Sequence, residues 1–77
     1  MRTTLNACIL IKTKPLQTED ILSRTKKLRG VRKLFAAYGR FDLVVFAEAN
    51  GYPELRELTG TVNSIPGVRS TETLVEA

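Results

Sequence analysis

The run Phe41 to Ala49 constrains this chain more than any other, because it alternates like a strand and yet is apolar on both faces. Phe41, Leu43, Val45 and Ala47 fall on one side. Val44 and Phe46 occupy the middle of the other, between Asp42 and Glu48. Successive side chains of a strand point to opposite faces of the sheet. An antiparallel strand with one wet face should therefore alternate apolar with polar. This run asks for cover on both sides. One layer of helices supplies half of it, and a chain of 77 residues has room for little more.

The neighbouring segments set the order of elements. Leu5 to Lys12 reads as a strand, with Leu5, Ala7, Ile9 and Ile11 on one face and Asn6, Cys8 and Leu10 on the other. Lys14 and Pro15 end it, since proline interrupts a ladder and restricts the residue before it. Thr18 opens a helix whose first turn its hydroxyl can cap, and Glu19 and Asp20 sit where the helix dipole favours anions. Ile21, Leu22, Thr25 and Leu28 form the inward stripe, and Gly30 terminates it. Val31 to Tyr38 reads as a second strand, Arg32, Leu34, Ala36 and Tyr38 alternating with Val31, Lys33, Phe35 and Ala37. Gly39 and Arg40 mark a tight turn into Phe41, which makes an antiparallel hairpin. Pro53 suits the start of a second helix, with Leu55, Leu58, Val62 and Ile65 as its stripe. Pro66 and Gly67 stop it, and Val68 to Val75 is a last strand.

The order βαββαβ predicts an α+β, ferredoxin-like fold over residues 1–77, one domain. Two right-handed crossovers put both helices on one face of a four-stranded antiparallel sheet. The other face is left bare. A single cysteine excludes an internal disulfide, and the lack of histidine removes the commonest metal ligand and general base. A second copy of the chain is the remaining source of cover.

Charge and chemistry narrow the function. Residues 1–40 carry ten Lys or Arg against two acids, a balance of +8, and residues 41–77 two Arg against six acids, a balance of −4. The basic half, with Arg24, Lys26, Lys27 and Arg29 near the end of the first helix, is either a solvated face or a weak, sequence-indifferent phosphate contact. A nucleophile without a base beside it is inert, so Cys8 reads as a small core or interface residue. Glu54 and Glu57 fit an exposed helix start. Gly60 inside the second helix either permits close packing or is a tolerated surface glycine. The stretch Tyr38-Gly39-Arg40-Phe41-Asp42 is the most informative. Gly39 leaves room near the backbone, and Asp42 either receives a ligand's ammonium or caps the turn. Thr71 and Thr73 either line a pocket with that hairpin or are ordinary strand residues. No export signal or membrane span is present, and a lone cysteine fits a cytoplasmic protein.

Three local patterns together resemble the effector-binding domain of the Lrp/AsnC, or feast/famine, family over residues 5–76. The first is Gly30-Val31 leading into the strand that ends Tyr38-Gly39-Arg40-Phe41-Asp42, which fits the family's hairpin of a glycine, two residues and an aspartate. The second is Asp42-Leu43-Val44-Val45 running to a helix with Glu54-Leu55. The third is Ile65-Pro66-Gly67-Val68 followed by Thr71, Thr73 and Leu74-Val75. The resemblance implies a homodimer whose sheets face each other as a dimeric α+β barrel, with dimers assembling to octamers or decamers. It implies amino-acid effectors held between dimers by Tyr38, Gly39, Arg40 and Asp42, with Thr71 and Thr73 from the last strand. No metal and no cofactor are expected, because the chain has no histidine and a single cysteine. Full-length members carry an amino-terminal helix-turn-helix domain, whereas only Met1 to Thr4 precede the first strand here. The chain thus resembles a stand-alone effector domain that does not read DNA sequence alone and acts through hetero-assembly with full-length relatives.

The leading reading is a non-catalytic, amino-acid-binding regulatory module that self-assembles. Two other functions share the topology. One is a small dimeric α+β barrel enzyme of monooxygenase or isomerase type, against which the missing histidine weighs. The other is a nucleic-acid-binding sheet that stacks bases on exposed aromatics. Phe35 and Phe46 are flanked by aliphatics and read as packed, which speaks against it.

Overall fold

Burial alternates without a break along the first strand, β1 (Leu5–Thr13): Ala7, Ile9, Ile11 and Thr13 are buried and the residues between them are not. The computed structural model of the protein describes residues 4–76. After β1 come α1 (Thr18–Lys26), β2 (Val31–Ala36), β3 (Leu43–Ala49), α2 (Tyr52–Asn63) and β4 (Val68–Val75). The four strands form one sheet in the order β2-β3-β1-β4, every neighbouring pair antiparallel. This is the expected βαββαβ fold.

Ile9 and Ile11 of β1 stand opposite Val45 and Leu43 of β3, and all four are fully buried. Ile21 of α1 and Leu58 and Val62 of α2 pack into the same cluster. Both helices therefore lie on one sheet face. A fully buried aliphatic side chain contributes about 1.5–3 kcal/mol, so this cluster is the main stabilising feature of a small chain. A smaller cluster of Ala7, Ala49 and Leu55 extends it towards the start of β1.

Three local features depart from the sequence reading. Thr18 is the first residue of α1 rather than its cap: Gln17 takes the N-cap position without a side-chain bond, and the Thr18 hydroxyl lies 2.7 Å from that of Thr13. That bond satisfies a buried hydroxyl on β1, which outweighs a cap the helix can do without. The second strand does not alternate evenly. A register shift between Val31 and Lys33 lets Val31 and Leu34 both pack on the core, while Lys33 and Phe35 face the other way. Finally, β2 ends at Ala36 and β3 begins at Leu43, so Tyr38 and Phe41 belong to the connection.

Two glycines sit in contrasting surroundings. Gly30 has φ +95°, and a Cβ on it would lie 2.7 Å from the Glu48 carbonyl oxygen, which bars any other residue. A Cβ on Gly60 would meet nothing within 4 Å, so packing against the sheet does not explain it. Gly60→Ala should raise stability by about 0.5–1 kcal/mol through helix propensity alone. Gly30→Ala should lower it by roughly 1–3 kcal/mol. Urea unfolding of the two variants beside the parent checks both signs.

Candidate functional site

The connection between β2 and β3 runs through residues 37–42 and is longer than the two-residue turn the sequence suggests. Its base is closed by the Ala37 N–H, which donates to the Asp42 carbonyl at 2.9 Å. Asp42 then ties the loop to β1 twice. Its N–H donates to the Ile11 carbonyl at 2.8 Å, and its carboxylate Oδ2 accepts the Thr13 N–H at 2.7 Å. Lys12 Nζ reaches the Arg40 carbonyl at 3.4 Å. Of the two roles open to Asp42, the backbone one is therefore filled, by a bond to the neighbouring strand rather than to its own turn. Beyond this anchor the tip is open. Gly39 has φ +127° and no atom within 4 Å of where a Cβ would stand. Tyr38 and Arg40 are fully or largely in solvent.

Thr71 and Thr73 stand opposite Ile11 and Ile9 across the β1–β4 ladder, so they share the helix-covered face. The Thr71 hydroxyl donates to Asn63 Oδ1 of α2 at 2.9 Å. Strand β1 lies between β4 and β3. Within one protomer the two threonines and the hairpin base thus stand on either side of β1, with Ile11 paired to Thr71 on one side and bonded by the Asp42 N–H on the other.

The opposite sheet face carries no helix. Its centre is apolar: Cys8 and Leu10 of β1 stand opposite Phe46 and Val44 of β3, with Leu74 beyond Cys8 on β4. Phe35 and Phe46, read from sequence as packed, are both about two-fifths exposed here, with ring centroids 6.0 Å apart. The aliphatics beside them in sequence point to the other face, which is why flanking residues misled. A hollow of about 570 Å³ lies over Cys8, Phe46, Leu74 and Val75. Arg32, the extra residue at the irregularity in β2, donates from Nε to Glu48 Oε1 at 3.0 Å on its rim. The edges of this face differ in sign, Lys33 on β2 and Glu72 on β4.

The arrangement offers contact surfaces more than reacting groups. Among the described residues, no three of His, Cys, Asp and Glu come together as a metal site would need. The one free thiol, Cys8, is partly buried, and burial pushes it up from the ordinary thiol range. A raised thiol holds less thiolate at neutral pH and is a poorer nucleophile.

Comparison with known proteins places this geometry. A family model described as the Lrp/AsnC ligand binding domain matches residues 6–76. The chain is 30% identical over 69 residues to the HTH-type transcriptional regulator FL11 of Pyrococcus abyssi, covering 90% of this chain and 46% of that protein. It therefore spans less than half the length of the curated relatives it matches. The crystal structure of TTHA0845 from Thermus thermophilus is similar with a TM-score of 0.90 and 26% identity, over 95% of this chain and 92% of that one. The transcriptional regulator NMB0573 of Neisseria meningitidis, solved as a complex with L-Met, shares the fold with a TM-score of 0.83 at 18% identity, over 95% of this chain and 49% of that one.

Alkylation of Cys8 by iodoacetamide near neutral pH should run several-fold slower than that of free cysteine. Its rate should keep climbing at alkaline pH where the free thiol has levelled off, because the thiolate forms later. A pH–rate profile that overlays the free amino acid would remove the burial argument.

Proposed function

The chain belongs to the Lrp/AsnC ligand-binding domain family, and on that premise we propose that it is a regulatory module that binds an amino acid and assembles with copies of itself. The bare sheet face is the observation that carries the assembly. Its centre is apolar, and Lys33 and Glu72 sit towards opposite edges. When two such faces stack about a twofold axis along the strands, β2 lies over β4 of the second copy. Lys33 then lies over the strand that carries Glu72, two residues along from it, and the apolar centres meet. Dimers made this way build octamers or decamers.

The amino acid binds between dimers at Tyr38, Gly39, Arg40 and Asp42. With Oδ2 of Asp42 committed to Thr13, the ligand's ammonium takes Oδ1, and backbone N–H groups near Gly39 take its carboxylate. A site that also uses Thr71 and Thr73 draws them from another protomer, because β1 separates them from the hairpin within one. The Neisseria regulator binds an amino acid of this general class, L-Met. The curated relatives are named as transcriptional regulators, which favours regulation over the enzyme reading. Each helix described here is bracketed by strands, so these residues hold no helix-turn-helix. In this proposal, sequence-specific DNA contact is supplied by full-length relatives through hetero-assembly, in the cytoplasm. No described helix is long and apolar enough to cross a membrane.

Phe46→Glu tests the dimer. The side chain is exposed in a lone protomer, so the fold should survive, while the dimer weakens at least tenfold by sedimentation. An unchanged dimer would move the interface elsewhere. Asp42→Asn tests the pocket, because asparagine keeps a carbonyl oxygen for the Thr13 N–H and loses only the charge. Calorimetry against the twenty amino acids should find one that binds the parent, with the variant weaker by about 10- to 100-fold. Equal affinity in the two proteins would take Asp42 out of the site.

A further inference from the structure

A leucine in a backbone conformation that leucine rarely adopts stands fully exposed at one end of the sheet. Lys14 to Gln17 form a β-turn, closed by the Gln17 N–H donating to the Lys14 carbonyl at 3.1 Å. Pro15 fills the second position, as such turns favour. Leu16 fills the third with φ +68°, where glycine or asparagine is the ordinary residue, and its side chain is 100% exposed. It costs stability in strain, and its exposed side chain gains nothing from folding in return. Lys14 beside it is exposed as well. Tyr38 and Arg40 project from the neighbouring loop at the same end, which Asp42 holds against β1. The result is a knob of apolar tips among cations.

The other end of the molecule carries its counterpart. Ala49 pairs with Leu5, at the end of β1 far from Thr13. There a hollow of about 210 Å³ opens beside α2. Leu28, Ala49 and Leu58 form its apolar floor, and Glu54 and Glu57 outnumber Arg29 on its rim. The length of β1, at roughly 3.3 Å per residue, keeps a chain's own knob away from its own hollow.

We infer that Leu16, with Lys14 at its side, seats in the Leu28–Leu58 hollow of a second copy, against Glu57. Apolar tip meets apolar floor, and net positive meets net negative. The contact joins two different patches, so it is heterologous and propagates until the rotation closes a ring. Neither patch lies on the bare sheet face, so a face-to-face dimer keeps two knobs and two hollows free. The inference rests on the assembly reading above and names the surface through which dimers associate.

Sedimentation velocity over a concentration series tests it. The parent should form species larger than the dimer. Leu16→Gly relieves the turn and removes the knob, so it should melt no lower than the parent while dimers associate at least tenfold more weakly. Leu16→Asn, which also tolerates the left-handed conformation, should do the same. Lys14→Glu and Glu57→Lys should each weaken the association, and the double variant should restore it. Large assemblies that persist in Leu16→Gly would overturn the contact and leave the assembly reading standing. A parent that stops at the dimer would overturn it and leave only the dimer. A parent that stays monomeric would overturn both. Leu16-dependent binding to vesicles of anionic lipid, without self-association, would assign the knob to a bilayer and overturn the contact.

Discussion

The ladder between β1 and β3 is the interaction on which the rest of the molecule depends. It sets Ile9 against Val45 and Ile11 against Leu43, and those four side chains make the floor on which both helices rest. Because side chains alternate, the same register sends Cys8, Leu10, Val44 and Phe46 to the opposite face. A slip of one residue would exchange the two sets. Folding the core therefore builds the apolar face as well.

Chain topology turns a charge gradient along the sequence into one across the sheet. The basic residues 1–40 contribute β2, and the acidic residues 41–77 contribute β4. The first and third strands in sequence occupy the centre of the order β2-β3-β1-β4, so the second and fourth become opposite edges. Lys33 and Glu72 thus end up on different flanks of one face. In the proposed face-to-face pair this placement favours the stacking that crosses the edges, because like charges set edge on edge repel.

Periodicity made the element order and most of the core legible. Ile9, Ile11, Leu43 and Val45 lie two apart, Leu55, Leu58 and Val62 three and four apart, and all are buried. What the sequence concealed depends on a single extra residue or a single bond. Strand β2 carries no mark that Arg32 breaks its alternation, yet that break reverses the faces of Lys33 and Phe35. Thr18 has the composition of a cap, but the hydroxyl of Thr13, distant from water, competes for it. Of the candidate site, the hairpin and its exposed tip were readable from Gly39 and Asp42. The bond from Asp42 to Thr13 was not, because it joins residues far apart in sequence. Leu16 gave no signal at all, since nothing in Lys14-Pro15-Leu16-Gln17 announces that leucine holds a glycine's conformation.

On the proposed reading, the surface that limits the stability of a lone protomer is also the one that drives its assembly. A domain of this size buries a limited fraction of its surface, and here Phe35, Phe46 and Leu74 remain substantially exposed in one protomer. Covering them releases free energy that folding alone leaves unused, so partner binding and folding reinforce each other by mass action. The hairpin tip stands outside that cover, at the end of the sheet, fixed to β1 through Asp42 but free beyond it. On the proposed reading, a ligand that bridges this tip and a neighbouring protomer adds its differential affinity to the assembly that brings them together. Regulation by that proposed route would need no large movement within a protomer. It would need only the rigid core, the loop anchored at its base, and subunit contacts weak enough for one small molecule to shift their balance.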